Sequence, residues 1–438
     1  MRGRKAVVVT YQEALDYIGN LQRRGWRLGL DRMEEFLRLL ECPHYRVKAL
    51  HVAGTNGKGS VTAMLQSILK EAGYKVGGFF SPYVFDFRER IQLNCEYISE
   101  SDVARLTAQL MPISEKMDGS PLEGPTEFEF KTAMGFLYWA EKNCDYVVLE
   151  VGLGGRLDAT NVVNPLVSVI TQIALDHQNI LGNTVREIAR EKAGIIKEGK
   201  PCVCVAEDPD AQMVVQTIAK EKDSELWLYG REIKVSRSED GWDVETPCAL
   251  RRGLRVGLRG DFQALNLAAA VSALDMGEIP VEEDALRKGL LRVSLPGRFQ
   301  VVSDQPLVVL DGAHNPSAME ALCRALRAEF PQHAFRVVFS GSTGHDTVGT
   351  LKPLRTFALR LYLCSMQNER ALSLKELKEF AEKAGFEDED CKALGSPTDA
   401  FRSAIEECKE NEGVLVTGSF YLLKEVFERT MVGSNGGC

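Results

Sequence analysis

No run of apolar residues in the 438-residue chain approaches the length of a membrane span. The basic start, MRGRKAVVV, holds only four consecutive apolar residues, too few for the core of a signal peptide. Positive charge is also short: 53 Lys and Arg stand against 62 Asp and Glu, for a net charge of −9. That balance argues against broad binding to nucleic acid or an anionic membrane, so an anionic substrate needs a local basic pocket. The eleven cysteines include no Cys-x-x-Cys pair, and Cys202 and Cys204 alternate along an expected strand. An odd count without framework spacing fits reduced thiols in a cytoplasm and argues against zinc. Internal repeats and low-complexity segments are missing too. What remains is an ordinary globular composition, 45% hydrophobic and 26% charged, at a length that suggests two domains.

The stretch that organises the rest is KALHVAGTNGKGSVTAMLQSILKEAG, residues 48 to 73. Ala49, Leu50 and Val52 make a short strand, and Val61, Met64, Leu65, Ile68 and Leu69 recur at helical spacing up to Gly73. Between them lies Gly54-Thr55-Asn56-Gly57-Lys58-Gly59-Ser60. Strand, glycine turn and helix are the setting of a phosphate-binding loop. Backbone N–H groups converge there on phosphate oxygens at a helix N-terminus, and Lys58 adds a full charge. The spacing departs from the simplest such motif, because a glycine separates Lys58 from Ser60. An ordinary tight turn is the alternative.

Residues 11 to 40 read as helices around a turn at Gly25–Gly29, with Asp31 as an N-cap. Lys75 to Phe80 reads as a strand ending at Ser81-Pro82-Tyr83, followed by a turn-rich connector carrying Arg88, Glu89 and Arg90. A helix from Glu100 to Lys116 and another from near Thr126 lead to Asp145–Val151, read as a buried parallel-sheet strand. Glu150 interrupts its apolar run. A carboxylate there is costly unless it is paired, holds a cation, or lies past the strand in solvent. The glycine-rich GLGGRLDATN follows, then a strand over Val167 to Ile173 that ends at Asp176-His177. A lone histidine at a strand end is more often structural. Its place on the same sheet edge as Ser60, Ser81 and Glu150 argues for function.

The helix Thr184 to Ile196 carries Glu187, Arg190, Glu191, Lys192 and, just beyond, Lys197, which read as a solvated face of i, i+4 pairs. Pro201 to Ala206 reads as a strand, residues 223 to 262 as polar and irregular with β-like stretches, and Asp261 to Leu274 as a helix. Leu295-Pro296-Gly297-Arg298 reads as a hinge. Beyond it, strands at 307–310, 335–339, 359–363 and 414–417 alternate with helices near 317–329, 373–384, 398–409 and 419–429, the pattern of a doubly wound sheet. Its first strand empties into Asp311-Gly312-Ala313-His314-Asn315-Pro316. The final GSNGGC reads as disordered.

GTNGKGS, SPYVFDFRERI, LEVGLGGRLDATN, LDHQNILGNTVREIAREKAGIIK, LPGRF, LDGAHNP and VTGSFYL occur in order along the chain. Together they resemble the folylpolyglutamate synthase and dihydrofolate synthase family, relatives of the Mur ligases. The resemblance implies an α/β fold: a P-loop parallel-sheet ATP-binding domain over residues 1–297, then a smaller Rossmann-like domain over 298–438. It implies an ATP-dependent ligase that adds L-glutamate to dihydropteroate, to (tetrahydro)folate or to both through an acyl phosphate. The implied cofactors are ATP and Mg²⁺ at two sites, in a cytoplasmic monomer without nucleic-acid or membrane partners.

By the same resemblance Gly57, Lys58, Gly59 and Ser60 hold the ATP phosphates, and Asn266, Arg298 and Asp311 contact the nucleotide. Ser60, Ser81, Glu150 and His177 match the magnesium positions. Lys192 matches a lysine that carries CO₂ as a carbamate. Leu28, Gly29, Leu30 and Asp31, then Thr126, Glu127, Phe128 and Glu129, then Leu157, Asp158 and Ala159 match segments facing the pteroate. His314 and Ser419 match positions near the incoming glutamate, and Lys58, Lys192, His177 and His314 form the implied catalytic set. Three places depart from the family: Phe262 precedes Gln263 where a histidine is usual, Gly344-His345-Asp346 replaces Asp-Lys-Asp, and Arg88-Glu89-Arg90 replaces Asn-Glu-Arg. Two other readings stand beside this one. A Mur ligase acting on a UDP-sugar peptide would share the chemistry, and a P-loop kinase or regulatory NTPase would explain residues 48 to 73 alone.

Overall fold

A computed structural model describes residues 8–25 and 27–434. The basic first five residues, and the last four of the tail expected to be disordered, lie outside the described residues. Its first two, Gly433 and Ser434, instead belong to the last helix, Phe420–Ser434.

Strands β1 (Lys48–Ala53), β2 (Val76–Phe79), β3 (Ile91–Leu93), β4 (Glu96–Tyr97), β5 (Tyr146–Glu150), β6 (Val167–Ile170), β7 (Cys202–Cys204) and β8 (Leu226–Leu228) form one sheet. Their order is β4-β3-β2-β5-β1-β6-β7-β8, parallel except where β3 and β4 turn back at one edge. The apolar runs follow from burial on both faces. Leu50, Val52 and Val148 pack with Val61, Leu65 and Ile68 of the helix Lys58–Glu71 and with Leu267 and Val271 of the helix Gln263–Met276. Ala49, Val147 and Leu149 face the other way, toward Phe130, Met134 and Trp139 of the helix Glu127–Glu141. Short strands β9 (Lys234–Ser238), β10 (Gly241–Glu245) and β11 (Leu250–Leu254) make a small antiparallel sheet. Past residue 299, β12 (Gln300–Asp304), β13 (Leu307–Leu310), β14 (Ala334–Phe339), β15 (Ala358–Cys364), β16 (Cys391–Leu394) and β17 (Glu412–Thr417) form a second sheet, ordered β12-β13-β17-β14-β15-β16. Only β12 is antiparallel in it. The chain is thus a two-domain α/β protein whose parallel strands both end toward the junction loops.

Three local expectations need correction. Residues 223 to 262 are more regular than expected: the β-like stretch at Leu226 is β8, the one at Leu254 ends β11, and β9 and β10 complete a small sheet, because Val244 and Leu254 bury against the Gln263–Met276 helix. Asp31 is not an N-cap; the helix Asp31–Leu39 is capped by Leu30 without a side-chain bond, and Asp31 instead places its charge in the first turn. Lys192 is not solvated. It lies on the apolar stripe Ile188, Ala189, Lys192, Ala193 of the helix Val185–Ala193 and is 4% exposed.

His51, in the middle of β1, is fully buried. Thr160 Oγ1 gives its proton to Asp158 Oδ1 at 2.5 Å, so it accepts from His51 Nε2 at 2.8 Å, while Nδ1 has no partner. A proton on Nδ1 would be a desolvated cation without an acceptor. Burial, and then Lys197, push this imidazole down to about 3 from an ordinary 6.5. The unfolded chain therefore binds more protons between those values, and stability falls as pH drops below 6.5 while nothing is lost above it. By about pH 5 the expected loss from this group is about 2 kcal/mol. His51→Gln keeps the bond to Thr160, and urea unfolding at about pH 5 and about pH 7.5 should show a smaller difference than in the wild type. An unchanged difference would mean His51 is not the acid-sensitive group.

Candidate active site

β1 stops at Ala53 and the loop 54–57 delivers the chain into the helix at Lys58. Gly57 sits at φ +93°, and a Cβ there would lie 2.2 Å from Asn266 Oδ1. Only glycine fits so close to the helix Gln263–Met276. Asn266 is fixed in turn by donating to Gln263 Oε1 at 2.8 Å, and Gln263 Nε2 donates to the buried Ser60 hydroxyl at 3.5 Å. The first N–H groups of the Lys58–Glu71 helix have no carbonyl one turn behind them, which makes this end a cradle for an anion. Lys58 Nζ donates to the Gly54 and Thr55 carbonyls, 3.1 Å each. Burial holds this ammonium below its ordinary pKa, opposed by the nearby Glu150 and Asp176 carboxylates.

Glu150 closes β5 and is 3% exposed, so the solvated alternative is excluded. Its Oε2 accepts from the Ser81 backbone N–H at 2.8 Å, which brings the ends of β2 and β5 together. Burial raises its pKa, against the pull of Lys58, Arg298 and Arg90. Lys192 reaches the same place from below: its Nζ donates to the Gly54 carbonyl at 2.8 Å. Two ammonium groups thus share one buried carbonyl. Burial first, and Lys58 second, push Lys192 down to about 7.

The second domain meets this edge through the loop after β13. Asn315 caps the helix Pro316–Glu329 and exchanges amide bonds with Asn56 of the phosphate loop, at 3.0 and 3.3 Å. It also donates to Asp176 Oδ2 at 3.3 Å. His314 Nδ1 donates to the Gly312 carbonyl at 2.7 Å, and its Nε2 lies 3.6 Å from Asp176 Oδ2. Asp311 spends both oxygens on backbone, accepting from Phe299 N at 2.7 Å and Ala313 N at 2.8 Å. Arg298 is half-buried, with Asp311 and Glu150 acting on its charge and its guanidinium 4.0 Å from the centroid of the Phe420 ring. Ser419 is buried, and its hydroxyl accepts from Tyr421 N at 3.2 Å. His177 has φ +49° and groups with Asp176 and His345. Desolvation, together with the neighbouring His345, His314 and Lys58, pushes it down to about 4 despite Asp176.

A small cleft beside Glu150 is lined by Gly59, Phe80, Pro82, Leu295 and Pro296 of the first domain and by Arg298. The segments expected to face the pteroate divide in their roles. Phe128 packs edge-on against Phe79, with centroids 5.9 Å apart, and Leu28 is 64% exposed beside Gly29 and Leu30. Glu127 pairs with Lys131 at 2.5 Å. Glu129 is buried in a capping box with Thr126 and an ion pair to Arg32 at 2.7 Å. Asp158 accepts from Gly152, Leu153 and Thr160 N–H groups, which shapes the loop holding Leu157 and Ala159. Sequence reasoning missed Asp176 and Asn315, each adjacent in sequence to a histidine that it did select. It also gave no role to Arg90, now seen buried among Phe79, Tyr83 and Phe128 with Nε and Nη1 unpartnered. All three lie in polar segments, where no local pattern sets them apart.

Two family patterns match the chain, the Mur ligase middle domain over residues 52–274 and the Mur ligase glutamate ligase domain over 297–420. The chain is 38% identical over 434 residues to a dihydrofolate synthase/folylpolyglutamate synthase of Bacillus subtilis (strain 168), covering 96% of this chain and 99% of that one. It superposes on the Escherichia coli protein solved with DHPP and ADP at a TM-score of 0.88 and 32% identity, covering 99% of this chain and 100% of the other. A bifunctional folylpolyglutamate synthase/dihydrofolate synthase with Mn, AMPPNP and L-glutamate bound gives 0.87 and 32%, over 97% of this chain and 100% of that one. The glycine cradle, the buried carboxylate and the junction loops therefore sit in a chain that belongs to the folylpolyglutamate synthase/dihydrofolate synthase family of ATP-dependent glutamate ligases.

Proposed function

We propose that the protein uses ATP to join L-glutamate to dihydropteroate, to a (tetrahydro)folate, or to both. The observation that carries this is the junction of the two domains at the phosphate loop, where Asn56 bonds Asn315 and Asp176, near Lys58, faces His314. A carboxylate oxygen of the acceptor attacks the γ-phosphorus, and the bond to the ADP oxygen breaks. The glutamate nitrogen then attacks the acyl carbon, phosphate leaves, and the nitrogen loses a proton. Gly57, Lys58, Gly59 and Ser60 hold the phosphates, with Asn266 pressed against the loop and Arg298 facing them from the junction. Asp311 holds the turn that presents Arg298, and His314 and Ser419 stand where glutamate enters. Leu28 to Asp31, Thr126 to Glu129 and Leu157 to Ala159 form the walls for the pteroate.

The donors suit magnesium: Ser60 and Ser81 offer hydroxyls and Glu150 a desolvated carboxylate, hard oxygens of the kind that cation prefers. Glu150 and His177 would hold it, and when bound it would neutralise the crowded phosphates. Lys192 fits a carbamate, because CO₂ adds to a neutral amine and a second ammonium beside Lys58 is disfavoured. Residues 1–297 and 298–438 close on each other around the cleft, keeping water from the acyl phosphate. The ten described cysteines are free thiols, which supports a reducing compartment, and the net charge of −9 argues against nucleic-acid partners. No helix among the described residues is long and apolar enough to cross a membrane.

The test is ADP release with dihydropteroate, with tetrahydrofolate and with a UDP-sugar peptide, each with and without glutamate. Glutamate-dependent release is expected with at least one pteroyl acceptor and not with the peptide. Release with the peptide alone would overturn the reading.

A further inference from the structure

Asp176 and His177 close the loop after β6, and His345 stands on the loop after β14, so the three residues come from both domains. Each offers one ligating atom, and these atoms lie within 4.8 Å of one another. His345 Nδ1 and Asp176 Oδ1 are 2.9 Å apart. Two ligands of a tetrahedral zinc, with bonds near 2.0–2.1 Å, stand about 3.3 Å apart, so this hydrogen-bonded pair has to part by only about 0.4 Å, and lose its shared proton, to hold one. The His177 and His345 rings have centroids 4.7 Å apart, which puts the third ligand beside the other two. The other oxygen of Asp176 faces Asn315 Nδ2 at 3.3 Å and His314 Nε2 at 3.6 Å. An outer amide donor such as Asn315 orients a metal-bound carboxylate.

His345 gives the second domain an imidazole nitrogen that can ligate a metal beside Asp176 and His177. We propose that Asp176, His177 and His345 bind a transition-metal dication of the zinc or cobalt class, which clamps the two domains and withdraws His177 from the reaction. Imidazole and carboxylate suit such ions, whereas magnesium favours sets of oxygens. Because His177 also belongs to the proposed magnesium positions, the two ions compete for it. The cysteine spacing argues against zinc, but this site contains no thiol.

The experiment is equilibrium dialysis of the full chain against Zn²⁺ in excess Mg²⁺, with Co²⁺ absorption as a report on the ligands. One zinc per chain is expected, with d–d bands and no thiolate charge-transfer band for cobalt. His345→Gln should weaken zinc binding at least about ten-fold. His345→Lys keeps a cation opposite Asp176, and so the folded contact, yet should lose the ion equally. One equivalent of zinc should slow ADP release in the wild type more than in His345→Lys. Wild-type zinc affinity in both variants, thiolate absorption from bound cobalt, or equal slowing in wild type and His345→Lys would overturn the proposal.

Discussion

Lys58→Ala is expected to lower turnover about a thousand-fold while leaving the chain folded, because a charge clamp on a transferring phosphoryl group supplies several kcal/mol. The side chain does little for the fold. Its ammonium touches two carbonyls of its own loop, and its burial disfavours the charged form. Removing it also relieves Lys192 of a neighbouring cation. Circular dichroism and thermal melting should therefore match the wild type, and ADP release should not. A folded variant with unchanged turnover would end the assignment of the phosphate loop.

Lys192→Ala is expected to be inactive as well, with about a hundred-fold loss or more, and to regain part of its activity in acetate or another small carboxylate. The reason is geometric: a side chain 4% exposed cannot act as a surface cation, and two ammoniums sharing the Gly54 carbonyl repel each other. Conversion to a carbamate turns one of them into an anion. Lys192→Arg, which cannot make that change, should be as inactive as the alanine variant. Stability should not fall in Lys192→Ala, since a buried charge is removed and not a packed apolar group. Full activity in Lys192→Arg, or an unmodified amine by mass measurement of the active protein, would reject the carbamate.

The strands carrying the site were legible because burial on both faces leaves apolar runs such as Tyr146–Leu149, against which Glu150 stands out. The phosphate loop was legible because its glycines and lysine sit between a strand and a helix. Lys192 was misread although the evidence lay in its own helix. Ile188, Ala189 and Ala193 place it on the covered face, but the i, i+4 pairs of Glu187, Arg190 and Glu191 suggest solvent. Edge strands β12 and β16 escaped because half-exposed strands keep polar residues. Asp176 escaped for another reason. Its partners Asn315 and His345 lie far along the chain, and local spacing carries nothing about such pairs.

The few bonds around Gly297 bear on how the halves can swing. Gly312 N donates to the Gly297 carbonyl at 3.0 Å, Phe299 N to Asp311 at 2.7 Å, and Gly297 N to Gln300 Oε1 at 2.9 Å. Residues 297 to 299 are thereby riveted to the second domain, and Arg298 rides with it as a spoke fixed to its wheel. In the closure proposed above, the axle therefore lies upstream, over Ser294 to Pro296. Torque from a second domain drawing nearer would turn Arg298 toward Glu150 without any change in its own backbone.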